Sequence, residues 1–300
     1  MTTNHVLAVD GTNLLYRSYH AMAASKLEHA GRPVWAVHGL FVQLAKILEG
    51  SDYTHMILAF DTAGGCTTRK KLYPEYKANR PQPDESVVYQ LQWAPNLLRQ
   101  CGMHALSMDG WEADDIVASC ANQAEKQGYR TTVLSSDKDC IQLVGNLTRM
   151  LTADNKTYDL DTLKNTLGCT PGGYRIIAAL RGEPGDNLPG VKGVGTVTAT
   201  KLAERFNDID AIFSATDEDL RQVVSAKMLE SLRRDEEKAR CTYAVAELNR
   251  HLPVSLREGE LGNLDSVKIE KILKDVGLPK AGERISRSLR AAKSSRERVF

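Results

Sequence analysis

Short apolar runs alternate with longer amphipathic segments through the first half of the chain. The runs HVLAVD, HMILAFD and TTVLSSD are rich in Val, Ile and Leu, and they end at Asp10, Asp61 and Asp137. Runs of this length and composition predict buried strands. Between them, apolar residues recur every three or four positions over 34–48 and 113–126, which predicts helices. Strands that alternate with helices predict an α/β fold with a mainly parallel sheet flanked by helices.

The aspartates that end these runs are expected to meet at one edge of the sheet. In a parallel sheet the carboxyl ends of the strands lie together, and ligands bind beyond them. A second acidic group, Glu112, Asp114 and Asp115, opens the helix predicted at 113–126. By itself this triplet would suit a helix cap, because the amino end of a helix favours negative charge. Crowded carboxylates, however, repel one another unless a cation neutralises them, so the two groups together predict a divalent-metal site.

After residue 170 the pattern changes to short helices separated by glycine-rich turns. The segment GVKGVG precedes a helical pattern at 196–206, which predicts a helix-hairpin-helix. Glycines let backbone amides approach a phosphate closely, although many unrelated turns have this spacing. We therefore divide the chain into an α/β core (1–168), a helical module (169–260) and a C-terminal basic helical segment (261–300).

Composition narrows the class of protein. A chain of 300 residues with 42% hydrophobic content can bury a substantial core. Its six cysteines contain no CxxC pair, which argues against a structural zinc site and favours reduced thiols. The net charge of +1 hides a basic stretch at 67–80. Because there is no apolar leader and no long apolar run, we expect a cytoplasmic protein that does not bind membranes.

Six segments carry a family resemblance when they are read in order. They are AVDGTNLLYRSYHA, LAFD, RKKLYPEYKANRP, GWEADDIVAS, SSDKDCIQLV and RGEPGDNLPGVKGVG. Together they resemble the 5′-nuclease superfamily, which includes flap endonucleases and the 5′–3′ exonuclease domain of bacterial DNA polymerase I. The resemblance implies a PIN-like nuclease core with a central twisted sheet, a helical arch at about 64–110 and a helix-hairpin-helix module.

The resemblance also implies a ligand set for two or more Mg²⁺ ions, which Mn²⁺ is expected to replace, and a K⁺ ion at the helix-hairpin-helix. Magnesium prefers oxygen ligands and retains water, which explains the number of acids. Glu183 departs from the family, which usually has aspartate there. The first ion is assigned Asp10, Asp61, Glu112 and Asp114, the second Asp137, Asp139, Glu183 and Asp186, and Asp115 assists indirectly.

Lys77 and Arg80 are the predicted catalytic cations. They are three residues apart, so on a helix they would face the same way, and the resemblance places them in an arch over the reacting phosphate. Tyr73 and Tyr76 would stack on unpaired bases or pack within the arch. Val197 replaces a lysine that is usual in the hairpin. The predicted DNA-binding residues are Tyr16, Arg17, Arg69, Lys70, Tyr73, Tyr76, Gly190, Lys192, Gly193, Gly195 and Lys201.

These features predict a metal-dependent 5′ nuclease that cuts DNA at 5′ flaps, nicks and RNA-primed ends. We expect a free-standing monomer that works alongside a DNA polymerase. The alternative is a catalytically idle, structure-specific DNA-binding protein of the same fold. A single-domain ribonuclease would share the strand-end acids, but it would not need the arch cations or the glycine hairpin.

Overall fold

The computed structural model describes residues 4–297, so residues 298–300 of the predicted basic segment lie outside it. The strands are β1 (His5–Asp10), β2 (Glu28–His29), β3 (Arg32–Pro33), β4 (His55–Ala59), β5 (His104–Leu106), β6 (Arg130–Leu134), β7 (Thr148–Leu151) and β8 (Thr157–Tyr158). The helices of the first half are α1 (Gly11–Met22), α2 (Trp35–Leu48), α3 (Thr67–Leu72), α4 (Glu85–Gln100), α5 (Ala113–Lys126) and α6 (Leu160–Leu167). Those of the second half are α7 (Pro171–Arg181), α8 (Thr196–Phe206), α9 (Ile209–Ser214), α10 (Asp217–Arg221), α11 (Ala226–Arg234), α12 (Glu236–Val245), α13 (Ser266–Asp275) and α14 (Pro279–Glu297).

The main sheet has the strand order β5-β4-β1-β6-β7-β8 within the described residues. Strands β5, β4, β1, β6 and β7 pair in parallel, and β8 pairs with β7 antiparallel. The prediction of a mainly parallel sheet is confirmed. Because β4, β1 and β6 are neighbours, their carboxyl ends form one edge, and the acidic runs end there.

Helices cover both faces of this sheet. Helix α5 packs on one face, in a core that continues into α7 and α8 of the helical module. Helices α1, α2 and α4 cover the other face. The C-terminal segment belongs to this second layer: Ile269, Leu273, Ile285 and Leu289 are buried in the same core as Phe41 of α2. The basic residues of α14 therefore belong to a helix whose apolar side completes the α/β core.

The basic stretch between α3 and α4 is not helical. Residues 74–79 form turns, and Lys77 has a φ of 58°, in the left-handed region. The prediction that Lys77 and Arg80 share a helix face is therefore wrong. Pro74, Pro81 and Pro83 explain the interruption, because proline lacks an amide donor and disfavours helical backbone in the residue before it.

The predicted helix-hairpin-helix is formed by α7, α8 and the turn between them, and α7 packs against α8. Two of its glycines are required by geometry. A Cβ on Gly190 would lie 2.3 Å from the carbonyl carbon of Arg181, so only glycine allows the hairpin to approach the end of α7. Gly193 has a φ of 85°.

None of the helices within residues 4–297 is long and apolar enough to span a bilayer.

Candidate functional site

The strand-end aspartates lie together in one cleft. Asp10, the last residue of β1, is 5% exposed, and its carboxylate accepts hydrogen bonds from the amide of Asn13 at 2.9 Å and from Ser135 Oγ at 3.0 Å. Asp61 accepts a bond from the amide of Ala113 at 2.7 Å, which ties β4 to the start of α5. The acidic residues that line the cleft, of about 470 Å³, are Asp10, Asp61, Glu112, Asp114 and Asp137.

Helix α5 supplies the acidic triplet, and its members have different environments. Glu112 is the N-cap, and Asp115 completes a capping box by accepting the amide of Glu112 at 3.1 Å. Asp115 is 1% exposed and also accepts the amide of Asn249 at 2.8 Å. Both carboxylate oxygens of Asp115 therefore accept hydrogen bonds from groups within the protein. A contribution of Asp115 to metal binding stays a prediction, and it would act through Glu112.

Arg69 is the internal counter-ion of this triplet. Its guanidinium forms a bidentate pair with Asp115 at 2.7 and 3.0 Å and donates to Glu112 Oε2 at 2.9 Å. The side chain is only 7% exposed. Burial opposes the charge, but Asp114, Asp115 and Glu112 outweigh it and raise the pKa of Arg69 above its usual range. Most donors of Arg69 are therefore used within the fold, and its contact with DNA stays a prediction.

The two arch tyrosines also pack inside the protein. Tyr76 is 4% exposed, and its hydroxyl donates to Glu112 Oε2 at 2.8 Å and to Asp186 Oδ2 at 3.2 Å. Tyr73 is half-buried against the small apolar cluster that contains Tyr76, Leu188 and Val245. Of the two roles considered for Tyr76, the structure therefore supports packing rather than stacking on bases.

A further acidic group, Asp139, Glu183 and Asp186, adjoins Asp137. Removal from solvent raises the pKa of Asp139 to about 8, and repulsion from Asp137, Glu183 and Asp186 adds to this shift. Glu183 forms an ion pair with Arg181. These pKa effects show that Asp139 and Glu183 lie close enough to Asp137 to interact electrostatically, as the sequence predicts for a second ion.

Lys77 links Glu112 of the α5 triplet to Asp186, and Arg80 pairs with Asp186. Lys77 pairs with Glu112 and lies 3.7 Å from Asp186 Oδ2, while Arg80 donates to Asp186 Oδ1 at 2.5 Å. The Lys77 amide also donates to the carbonyl of Asp186 at 2.9 Å. Both cations thus stand at the cleft, and Lys77 is among the residues that line it.

The negative charge in the cleft is unevenly compensated. Burial raises the pKa of Asp10 to about 7, and Asp61 and Asp137 contribute further repulsion. Burial also raises the pKa of Asp114 well above its usual range, although Arg69 opposes the shift. Burial alone would likewise raise the pKa of Glu112, but Lys77 and Arg69 hold it below its usual value. Ionisation of Asp10 and Asp114 therefore calls for a further cation.

One atom supports a cation site directly. Asp114 Oδ1 is buried and has no hydrogen-bond partner among the described residues, and its nearest cation is Arg69 Nη1 at 3.7 Å. As the side chains stand, no three His, Cys, Asp or Glu residues in the described part of the chain form a group that could hold a metal ion. The donor chemistry fits a hard divalent ion, provided that Lys77 and Arg80 exchange their carboxylate partners.

The remaining predicted DNA-binding residues occupy different surfaces. Tyr16 and Lys70 line a second pocket of about 580 Å³ that also borders Asp61, Lys77 and Arg80. Arg17 lines a separate pocket on the other side of α1. Of the predicted residues in the hairpin and α8, Lys192, Gly193, Gly195 and Lys201 are exposed, and Gly190 is half-buried.

Sequence reasoning missed the residues that hold the site in shape. Asn13 and Ser135 orient Asp10 by hydrogen bonds. The only signal in the sequence was the segment TNLL, which indicates the start of a helix after Asp10. Asp235 bonds the hairpin from 43 positions away, and no local signal marks it. Such long-range partners are not readable from periodicity.

A parallel sheet whose strand ends carry a carboxylate cleft beside basic residues defines the PIN-like nuclease class. The family described as "5′-3′ exonuclease, N-terminal resolvase-like domain" matches residues 5–168, and "5′-3′ exonuclease, C-terminal SAM fold" matches residues 169–275. The chain belongs to the 5′–3′ exonuclease family.

Relatives and solved structures agree with this assignment. DNA polymerase I of Bacillus caldotenax is 31% identical over 281 residues, covering 91% of this chain and 31% of the relative. DNA polymerase I of Thermus aquaticus is 32% identical over 290 residues, covering 93% of this chain and 34% of the relative. The chain thus spans about a third of these relatives. The 5′-exonuclease of bacteriophage T5 with bound zinc has the same fold, with a TM-score of 0.68, 21% identity and coverage of 95% of this chain and 100% of the other.

Proposed function

We propose that this protein is a divalent-metal-dependent 5′ nuclease that hydrolyses phosphodiester bonds at 5′ flaps, nicks and RNA-primed ends of duplex DNA. The observation that carries the proposal is the convergence of acids from three strand ends and α5 on a cleft that also holds Lys77 and Arg80, which pair with Asp186 of the turn after α7. Acids suit metal ions and cations suit phosphate, so the cleft has the charges that hydrolysis of a phosphodiester requires.

Lys77 and Arg80 would stabilise the reacting phosphate. A phosphodiester gains negative charge as water attacks it in line, and fixed cations beside it are worth most where water is excluded. Interaction with Glu112 and Asp186 keeps the pKa of Lys77 above its usual range despite burial, so it stays protonated at neutral pH. On binding DNA, the two cations would exchange these carboxylates for phosphate oxygens.

The acids would hold the ions. Asp10, Asp61, Glu112 and Asp114 suit one position, and Asp137, Asp139, Glu183 and Asp186 a second. Bound Mg²⁺ or Mn²⁺ would supply Lewis-acid activation of water and charge compensation. The products are a 5′-phosphate and a 3′-hydroxyl, because the leaving group is the 3′ oxygen. A K⁺ ion at the hairpin remains part of the proposal.

The hairpin would bind duplex phosphates. Lys192 and Lys201 are exposed beside Gly193 and Gly195, where the backbone is accessible to a polyanion. A solved relative in fold supports the substrate: the bacteriophage T5 flap endonuclease, in complex with DNA and metal ions, has a TM-score of 0.65 and 19% identity and covers 96% of this chain and 100% of the other. We further propose a cytoplasmic monomer that cooperates with a DNA polymerase.

Cleavage of a labelled flap tests the proposal. Wild type, Asp114→Asn and Lys77→Ala are compared on a 5′-flap duplex with Mg²⁺ or Mn²⁺, and product lengths are resolved on a sequencing gel. We expect loss of about 10²-fold or more in turnover for both variants, because Asp114→Asn weakens a metal ligand and Lys77→Ala removes a cation beside the reacting phosphate. Lys71→Ala is the control, since it removes an exposed charge from the neighbouring α3.

Two outcomes would change the assignment. Full activity of Asp114→Asn would remove Asp114 from the metal site. Flap binding by the wild type without cleavage in either metal would favour the alternative function, a structure-specific DNA-binding protein.

A further inference from the structure

Helix α12 is hydrogen-bonded directly to the glycine hairpin and, through Arg69, to Glu112 of the carboxylate cleft. At its start, Asp235 Oδ2 accepts the amide of Lys192 at 3.1 Å. Farther along, Thr242 Oγ1 donates to the carbonyl of Pro189 at 2.7 Å. The helix thus holds the hairpin on either side of Gly190.

Asp235 is built into the fold rather than exposed on it. It is 3% exposed, and its carboxylate also accepts hydrogen bonds from Arg234 at 2.8 and 3.2 Å and from Lys238 at 3.2 Å. These partners, Arg234 first, hold the pKa of Asp235 below its usual range, although burial opposes them. A carboxylate beside a surface that binds phosphate should repel DNA, so its position calls for a structural reason.

The far end of α12 reaches the acids of the cleft through one arginine. The Val245 carbonyl accepts a bond from Arg69 Nε at 3.0 Å, and the same guanidinium holds Glu112 and Asp115. Val245 also packs in the apolar cluster of Tyr76. A helix rises about 1.5 Å per residue, so Asp235 and Val245 are held about 15 Å apart along a rigid element.

We propose that α12 sets the distance between the hairpin, which binds DNA, and the carboxylate cleft. Asp235 and Thr242 are then positioning residues that determine which phosphodiester bond is cut. This inference rests on the proposed function. The Gly193 and Gly195 amides have no acceptor within the described part of the chain, so the hairpin presents free donors. Their direction depends on how Asp235 and Thr242 hold the turn.

Binding of flap DNA in EDTA, measured by fluorescence anisotropy, tests the role of Asp235 without turnover. Asp235→Ala loses the acceptor for the Lys192 amide, and we expect about tenfold weaker binding. Asp235→Asn keeps an amide oxygen as acceptor, so it should stay within about twofold of wild type. Asp210→Asn is the matched control, because it removes a carboxylate that pairs with Arg240 of the same helix without contacting the hairpin.

The direction of the change in DNA affinity distinguishes a positioning role from simple charge repulsion. Simple electrostatics predicts that removal of any carboxylate near DNA tightens binding, and it predicts similar changes for Asp235→Ala and Asp210→Asn. Weaker binding by Asp235→Ala alone would support positioning. Unchanged or tighter binding would overturn it.

Cleavage position supplies a second readout. Thr242→Val preserves side-chain shape but removes the bond to the Pro189 carbonyl, and we expect it and Asp235→Ala to spread cuts over neighbouring bonds of a fixed flap. An unchanged cutting site in Thr242→Val would overturn the proposal even if Asp235→Ala failed to fold, as judged by circular dichroism. Failure of the wild type to bind or cut flap DNA would instead refute the proposed function.

Discussion

Replacement of Arg69 by alanine distinguishes between two roles for this residue, a buried counter-ion and a DNA contact. The side chains of Arg69, Glu112 and Asp115 are 7%, 11% and 1% exposed. Arg69→Ala would leave two carboxylates facing one another in the interior with their shared cation removed. The folded state would then either hold unpaired charge or take up a proton.

The expected cost follows from the burial of the pair. Removal of one partner from a buried ion pair destabilises a protein by about 3–5 kcal/mol, because the remaining charge is desolvated without compensation. In domains of 150–250 residues each kcal/mol lowers Tm by about 2–4 °C, so we expect a fall on the order of 10 °C in this chain.

Thermal unfolding in EDTA, followed by circular dichroism, measures this cost. Lys71→Ala is the control, because it removes the same charge from an exposed position of the same helix and should change stability by less than about 0.5 kcal/mol. DNA affinity is measured for both variants across a salt series.

The opposite pattern would refute the counter-ion role. If Arg69→Ala unfolded like Lys71→Ala, but its DNA affinity fell and the slope of log K against log salt flattened by about 0.9, Arg69 would be a phosphate contact. The sequence-based prediction for Arg69 would then be right and the buried pair would carry little stability.

Three further predictions concern charge and backbone. Burial and neighbouring acids raise the pKa of Asp139 to about 8 in the folded protein, so the folded state loses stability as pH rises from about 4 to about 8. Because Asp139→Asn cannot ionise, the increase in Tm that it causes should grow over this range and then level off. Divalent ions should raise Tm more at pH 8 than at pH 6, since Asp10 and Asp139 must lose protons to bind them; equal shifts in scanning calorimetry would count against these ligands. Gly190→Ala should destabilise the chain by more than about 2 kcal/mol in urea unfolding, whereas Gly195→Ala, which meets open space, should cost under about 1 kcal/mol; similar costs would contradict the close approach at Gly190.

The positions of the strand-end acids could be predicted from the sequence. Apolar runs that end in Asp10 and Asp61 indicate buried parallel strands, and the geometry of such sheets brings their carboxyl ends together. The start of α5 was equally readable, because an acidic triplet before an amphipathic repeat is a local signal. The helix at 196–206 followed from the same periodicity.

The backbone around Lys77 could not be predicted in this way. The spacing of Lys77 and Arg80 suits a helix, but bonds to the loop at 184–186 hold a turned backbone there. Tertiary contacts override local propensity where the segment is short and interrupted by proline.

By itself, the sequence determined three central strands, the helices at 34–48, 113–126 and 196–206, and the gathering of acids at one edge, because strand and helix periodicity are local properties of the chain. The tertiary structure alone decided which charges meet. Arg69 finds Asp115 across 46 positions, and Lys192 finds Asp235 across 43. Such pairs depend on how helices pack, and packing is what makes one basic residue of the 67–80 stretch a buried counter-ion and leaves Lys77 at the cleft.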